Sequence, residues 1–265
     1  MPGADDQQRP VPARNPHMAG AQHRDLRKPP ITEAILDVRI APAPTQDLSV
    51  LRAAVESLRL EYPDCKELQA FEAVFGIPNQ GPPVHKSLGV TGFLLRTNDG
   101  TSAVQFRLDG FTFNRLAPYD GWDHVLPRAL RAWGLYVSSM RPQAVTRIAL
   151  RYINNVLGPY PGENFADYLT AAPAGPDGGP ELMTGFLSQV QLREPDSVLS
   201  VALAQSTDAP TETGRARVIV DIDAFDSTGH TTDSAQLART WEALRRLKNR
   251  VFFASITEKG LEPYA

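Results

Sequence analysis

Thiol chemistry has almost nothing to work with in this chain: Cys65 is the only cysteine in 265 residues. No intramolecular disulfide can form, which fits a reducing compartment and predicts a cytoplasmic protein. No histidine stands beside Cys65 in a recognisable motif, so it is expected to be a small half-buried residue near a turn rather than a nucleophile. No apolar run approaches the ~18 residues a membrane span requires. Charge of one sign is not in excess either, with a net charge of −3 and a pI near 6.0. That balance excludes a surface coated in positive charge and argues against nucleic acid as a partner. Lysine is scarce, five residues against 22 arginines, and this bias, with abundant alanine and proline, suggests a GC-rich bacterial genome.

Chemical motifs are missing too. The chain has no Gly-rich phosphate loop followed by Lys-Ser/Thr, no G-x-G-x-x-G and no G-x-S-x-G. His17, His23, His85, His124 and His230 are scattered, without the i, i+4 spacing that would set two ligands on one helical face. Neither a metal nor a cofactor is expected.

What is present is pattern. Residues 1–28 hold proline, glycine, glutamine and charge with no apolar stretch, and are expected to form a disordered tail rather than a signal peptide. From Ile31 to Ile40, Ala34, Leu36, Val38 and Ile40 alternate with Glu33, Asp37 and Arg39, the period of a half-buried strand. Asp47 opens a helix with Leu48, Leu51, Val55 and Leu58 on one face, a strand is expected at Phe71–Phe75, and a Pro/Gly-rich loop at Ile77–Ser87. Thr97-Asn98-Asp99-Gly100-Thr101 predicts a hairpin between Phe93–Arg96 and Ala103–Leu108, because Asn, Asp and Gly tolerate positive φ. A strand at Phe111–Leu116 and a long helix capped by Asp120 follow. The second half predicts a strand over Val145–Asn155, a short helix near Phe165–Leu169, strands at Gly185–Arg193, Val198–Gln205 and Arg217–Ala224, and a closing helix carried by Leu237, Trp241, Leu244, Leu247, Val251 and Ala254.

Two short strings recur at one offset. Ile31–Leu36 aligns with Val145–Leu150, and Leu108-Asp109-Gly110-Phe111 with Ile222-Asp223-Ala224-Phe225, each 114 residues later. A shared offset suggests a duplicated supersecondary unit. The expected fold is therefore α+β: two β-α-β(3–4)-α units at 29–142 and 143–265, fused into one globular domain, with curved antiparallel sheet covered by long amphipathic helices. That plan resembles TATA-binding-protein-like and helix-grip architectures, a fold likeness that lends no function. If the two first strands pair at the centre, Glu33 and Asp37 should oppose Arg147 and Arg151.

Several segments together resemble a sporadically distributed bacterial family of about 250 residues to which no activity is assigned. They are Lys28-Pro29-Pro30-Ile31-Thr32-Glu33-Ala34-Ile35, Asn114–Trp122 with its Pro118-Tyr119-Asp120-Gly121-Trp122, Arg147–Asn154 with Leu150-Arg151-Tyr152-Ile153-Asn154, and Phe253–Lys259. The resemblance spans nearly all of the chain after the tail and implies no cofactor or catalytic residue.

Three functional readings stay open. The first is a non-enzymatic interaction or accessory protein with a protein partner. The second is a small-molecule-binding module, with a pocket between sheet and long helix. Its candidate ligand-binding residues are Arg107, Arg151, Asn154, Trp133 and Trp241. The third is an enzyme using strand carboxylates, since Asp221 and Asp223 share one strand face. No residue stands out as catalytic, so the chain is read as a non-enzyme first. On the closing helix Arg239, Arg246 and Arg250 share one face, with Arg245 and Lys248 adjacent, and are expected to form a solvated basic face rather than a site for acidic partners.

Overall fold

Strand β1, Ile31–Ala41, realises the alternation read above: Ala34, Leu36, Val38 and Ile40 are buried on one face, and Glu33, Ile35, Asp37 and Arg39 lie on the other. It belongs to a computed structural model that describes Arg24 and residues 26–41, 47–74, 84–180 and 182–265. Helix α1, Leu48–Glu56, is capped by Asp47, whose carboxylate accepts from the Ser49 N–H at 3.0 Å. Four strands follow, β2 (Asp64–Val74), β3 (Val84–Arg96), β4 (Ser102–Arg107) and β5 (Gly110–Leu116), then α2 (Trp122–Met140). In the predicted hairpin between β3 and β4, Gly100 takes φ 68° and Asp99 accepts from both Thr97 and Thr101.

The second half gives β6 (Ala144–Leu157), β7 (Leu187–Arg193), β8 (Ser200–Asp208), β9 (Arg217–Asp226), α3 (Ser234–Ser255) and α4 (Glu258–Leu261). The nine strands make one open antiparallel sheet in the order β2-β3-β4-β5-β1-β6-β9-β8-β7. Helices cover one face: α1 on β3, α2 on β5, α3 on β6 and β9, with α2 touching both α1 and α3. The protein is an α+β fold, and the stretches 29–142 and 143–265 share a single sheet.

Four expectations change. The strand expected at Phe71–Phe75 starts at Asp64, so Cys65 lies within it; β2 is an edge strand and needs no alternating apolar face to be recruited. Of the loop expected over Ile77–Ser87, positions from Val84 onward are strand, and 77–83 lie outside the described residues. Asp120 does not cap α2: Gly121 holds the cap position at φ 99°, a conformation that favours glycine, and Asp120 faces Arg115 Nε at 3.1 Å and Arg128 at 3.2 Å instead. The short helix near Phe165–Leu169 is a single 3-10 turn, Phe165–Asp167. Of the expected tail, residues 1–23 and 25 lie outside the described residues, whereas Arg24 pairs with Glu258 at 2.7 Å and the Lys28 N–H donates to Tyr264 O at 3.4 Å.

The first strands of the two halves do pair, β1 beside β6, with Leu36 opposite Leu150. The first pair of repeated strings thus meets at matching positions. The second does not. Asp109 sits in the turn joining β4 to β5, whereas Asp223 lies inside β9. Leu36 stands opposite Phe113, and Leu150 opposite Ala224, so the strands beside the seam correspond at an offset of 111 (224 − 113) rather than 114.

The seam register also decides the charges. Arg151 stands opposite Ile35 and Arg147 opposite Arg39, so the expected pairs are diagonal. Only Asp37–Arg147 comes within ion-pair distance, at 3.7 Å; Arg147 donates to Asp223 at 2.7 Å, Arg151 forks onto Asp221 at 2.8 and 2.5 Å, and Glu33 accepts from Asn114 at 2.7 Å.

Candidate ligand-binding cleft

The closing helix positions the most unusual side chain in the molecule. Leu237, Trp241, Leu244 and Phe252 form its buried stripe at helical spacing, and Lys248 falls on that stripe, four residues from both Leu244 and Phe252. Lys248 therefore points inward and is only 7% exposed. Where it lands, the sheet no longer packs tightly against the helices, and a cleft of about 450 Å³ opens. One wall is Tyr152 and Asn154 of β6; another is Tyr119 to Asp123, the entry to α2; the third is Arg245, Lys248, Asn249, Phe252 and Phe253 of α3. Arg24 and 26–31 contribute Arg24, Leu26, Arg27, Pro29, Pro30 and Ile31. That segment is pinned by the Arg24–Glu258 pair and by Asn155 N–H donating to Pro30 O at 2.8 Å.

Lys248 has no carboxylate within ion-pair distance among the described residues, and its Nζ lies 3.7 Å from the centre of the Tyr152 ring. Burial, and then the Arg245 charge one turn away, push its ammonium down to about 7. The Tyr152 π face works against that shift, since it attracts the cation. Tyr152 and Tyr119 share a hydrogen bond of 2.9 Å between hydroxyls, their rings edge to face. Burial raises both phenols, Tyr152 well above its ordinary value, so both keep their protons at neutral pH. Two O–H groups and one shared bond leave one donor free. Arg245 lies over the Trp122 ring at 5.3 Å and reaches Glu242 at 3.7 Å, while the Trp122 indole N–H donates to Glu242. Asp120, a half-buried acid of the cleft, is already engaged by Arg115 and Arg128.

The sequence-predicted site residues are placed in three different environments. Asn154 lines the cleft, its amide held by Val220 O at 2.9 Å and Tyr152 O at 3.4 Å. Arg107 and Arg151 lie on the opposite face of the sheet, in salt bridges to Asp37 and Asp109 and to Asp221. Trp133 and Trp241 are fully buried in the core between sheet and helices. Their indoles donate to Thr232 O and Ala149 O, and Trp133 stacks on Tyr136. The space between sheet and helix that those tryptophans were expected to line is filled by their own rings.

No protein-family model matches the chain, and no curated protein gives a significant match to it. The cleft must therefore be read from its own chemistry. Among the described residues no His, Cys, Asp and Glu side chains converge into a group of three that could hold a metal ion, and no helix is long and apolar enough to cross a membrane. Asp221 and Asp223 are each bonded to an arginine, Asp223 with its carboxyl raised by burial against the pull of Arg147. The basic face expected on α3 divides: Arg250 pairs with Glu194 at 2.6 Å near the surface, and Lys248 is interior. Lys248 was readable as the single basic residue on the apolar stripe. The tyrosines beside it were not, because Tyr152 and Tyr119 lie about 100 and 130 residues away in the chain.

Proposed function

We propose that this protein is a small-molecule-binding protein, and that the cleft over Lys248 takes an anionic ligand with a flat apolar body. The observation that carries this reading is a buried lysine without a counter-ion among the described residues, opening onto a cavity of ligand size. Burying a charge is unfavourable unless it is paired, and a ligand carboxylate or phosphate would supply the missing partner. Arg245 offers a second cationic donor, the free phenol hydrogen of the Tyr119–Tyr152 pair a neutral one, and Trp122, Phe252 and Tyr152 the apolar walls. Four basic side chains line the cleft against two acidic ones, and Asp120 is spent on Arg115 and Arg128.

Benzoate, a small carboxylate on a flat ring, is the simplest probe. Isothermal titration of the full chain should give saturable one-site binding, weakened about 10- to 100-fold in Lys248→Met, the usual worth of a charge-assisted hydrogen bond. Absence of binding, or equal affinity in both proteins, would remove the reading.

The edge strand favours a second reading, a protein-interaction surface. On β7, Leu187 is 78% and Leu192 51% exposed beside a row of backbone groups that no further strand pairs among the described residues. Sedimentation that shows a concentration-independent monomer would count against self-association through it.

A further inference from the structure

We propose that the amine of Lys248 condenses reversibly with the carbonyl group of an anionic aldehyde or ketone held in the cleft, forming an imine linked to the protein. This rests on the ligand-binding reading above and deepens it by naming the ligand class: molecules that carry both a carbonyl and an acidic group. The geometry has three parts. Lys248 is only 7% exposed, has no carboxylate within ion-pair distance among the described residues, and lines the cavity. It rests on the Tyr152 face, which suits a nitrogen that carries positive charge in some states, including a protonated imine. The Tyr152–Tyr119 hydroxyl pair, 2.9 Å apart, joins two walls of the cleft with one hydrogen to give.

Each step balances without an oxidant or reductant. The amine lone pair attacks the carbonyl carbon, a C–N bond forms, and the carbonyl π electrons move onto oxygen. A proton passes from nitrogen to that oxygen, giving a carbinolamine. The hydroxyl then leaves as water, taking a second proton, as the C=N bond forms. The net change is R–NH2 plus O=CR2 giving R–N=CR2 plus H2O. The phenol pair is placed to protonate the departing hydroxyl, and Arg245 to hold the acidic group of the ligand.

Attack requires the free amine. Burial, with the Arg245 charge one turn away, brings the Lys248 ammonium down to about 7, so free amine is available near neutral pH. The charged and titratable groups facing it are Arg245 on its own helix, Tyr152 from β6, Tyr119, Asp120 and Asp123 from the entry to α2, and Arg24 and Arg27 from the N-terminal segment. Exposed lysines offer the contrast: Lys28, Lys66 and Lys259 are on the surface.

The test is to incubate the full chain with 4-formylbenzoate and cyanoborohydride at about pH 7.5, then map the modified lysines by peptide mass spectrometry. We expect Lys248 to acquire the 4-carboxybenzyl group at least about tenfold faster than Lys28, Lys66 or Lys259, with benzoate slowing that reaction alone. Labelling that follows surface exposure, or an unmodified Lys248, overturns the imine. If benzoate still binds in the titration above, only the imine falls. If benzoate neither binds nor protects, the ligand-binding reading falls with it. Lys248→Arg, checked for cooperative unfolding, should lose the adduct while remaining folded.

Discussion

The two faces of the sheet treat positive charge in opposite ways. On the open face Arg107 meets Asp37 at 3.0 Å and Asp109 at 3.2 Å, Arg147 meets Asp223, Arg151 meets Asp221, and Arg39 meets Asp109. On the helix-covered side one lysine is buried with no carboxylate within ion-pair distance among the described residues. The open face looks like chemistry in the sequence, with its Asp and Arg residues alternating along strands, yet its charges satisfy one another and hold register. The cleft looks like structure in the sequence, one basic residue in an arginine-rich helix, yet its charge is incomplete. A charged group that has found its partner inside the fold is explained by the fold; one that has not is where a ligand has something to add.

The largest expected effect breaks the paired side. Asp37 receives Arg107, Thr112, Arg39 and Arg147 at 3.0, 2.7, 3.4 and 3.7 Å, so Asp37→Ala leaves a half-buried Arg107 without its main acid. Denaturant unfolding should show a loss of about 2–4 kcal/mol, toward the value for breaking a buried pair; a change within the error of the extrapolation would say that the network is ornamental.

Next comes the unpaired side, with the opposite sign. Lys248 titrates near 7 folded against 10.5 for the free group, so the unfolded chain binds more protons between those values. Its contribution to stability is therefore least favourable below about pH 7 and recovers as pH rises toward 10.5. Lys248→Met should be more stable than the parent at pH 6–7, by about 1–3 kcal/mol, and the difference should shrink by pH 10. A variant less stable than the parent at pH 6 would mean that the lysine has a partner after all.

The smallest effect sharpens the comparison within the open face. Arg151 is nearly half exposed, so although its fork onto Asp221 is geometrically good, Arg151→Ala should cost only about 0.2–1 kcal/mol and less at high salt. A cost equal to that of Asp37→Ala would show that burial is not what separates the two pairs.

Much of this fold was legible because local pattern and final burial agree. Ala34 to Ile40 alternate and are buried alternately; Thr97 to Thr101 turn where Gly100 and Asp99 allow it. Legibility failed where neighbours in space decide. Asp120 has the chemistry of a cap but sits between two guanidinium groups, and β2 is drawn into the sheet by its pairing with β3 despite polar residues on both faces. Asp109 and Asp223 matched as letters and not as positions, because the strands beside the seam are three residues out of step with the repeat. The cleft was half legible. Asn154 and the apolar stripe of α3 were in view, and Lys248 interrupts that stripe; what it faces is assembled from Tyr152, from Tyr119 and from 24–31, which only the tertiary fold brings together.

The contrast between paired and unpaired charge is tested most directly by following the lysines themselves through a pH titration. With only five lysines, 13Cε-labelled protein gives a spectrum simple enough to assign by substitution. The account predicts one resonance with its midpoint at about 7, missing from Lys248→Met, and moving upward in pH when benzoate is bound because the carboxylate favours the charged form. A folded protein in which Lys248 titrates above about pH 10, as a free lysine does, would contradict it.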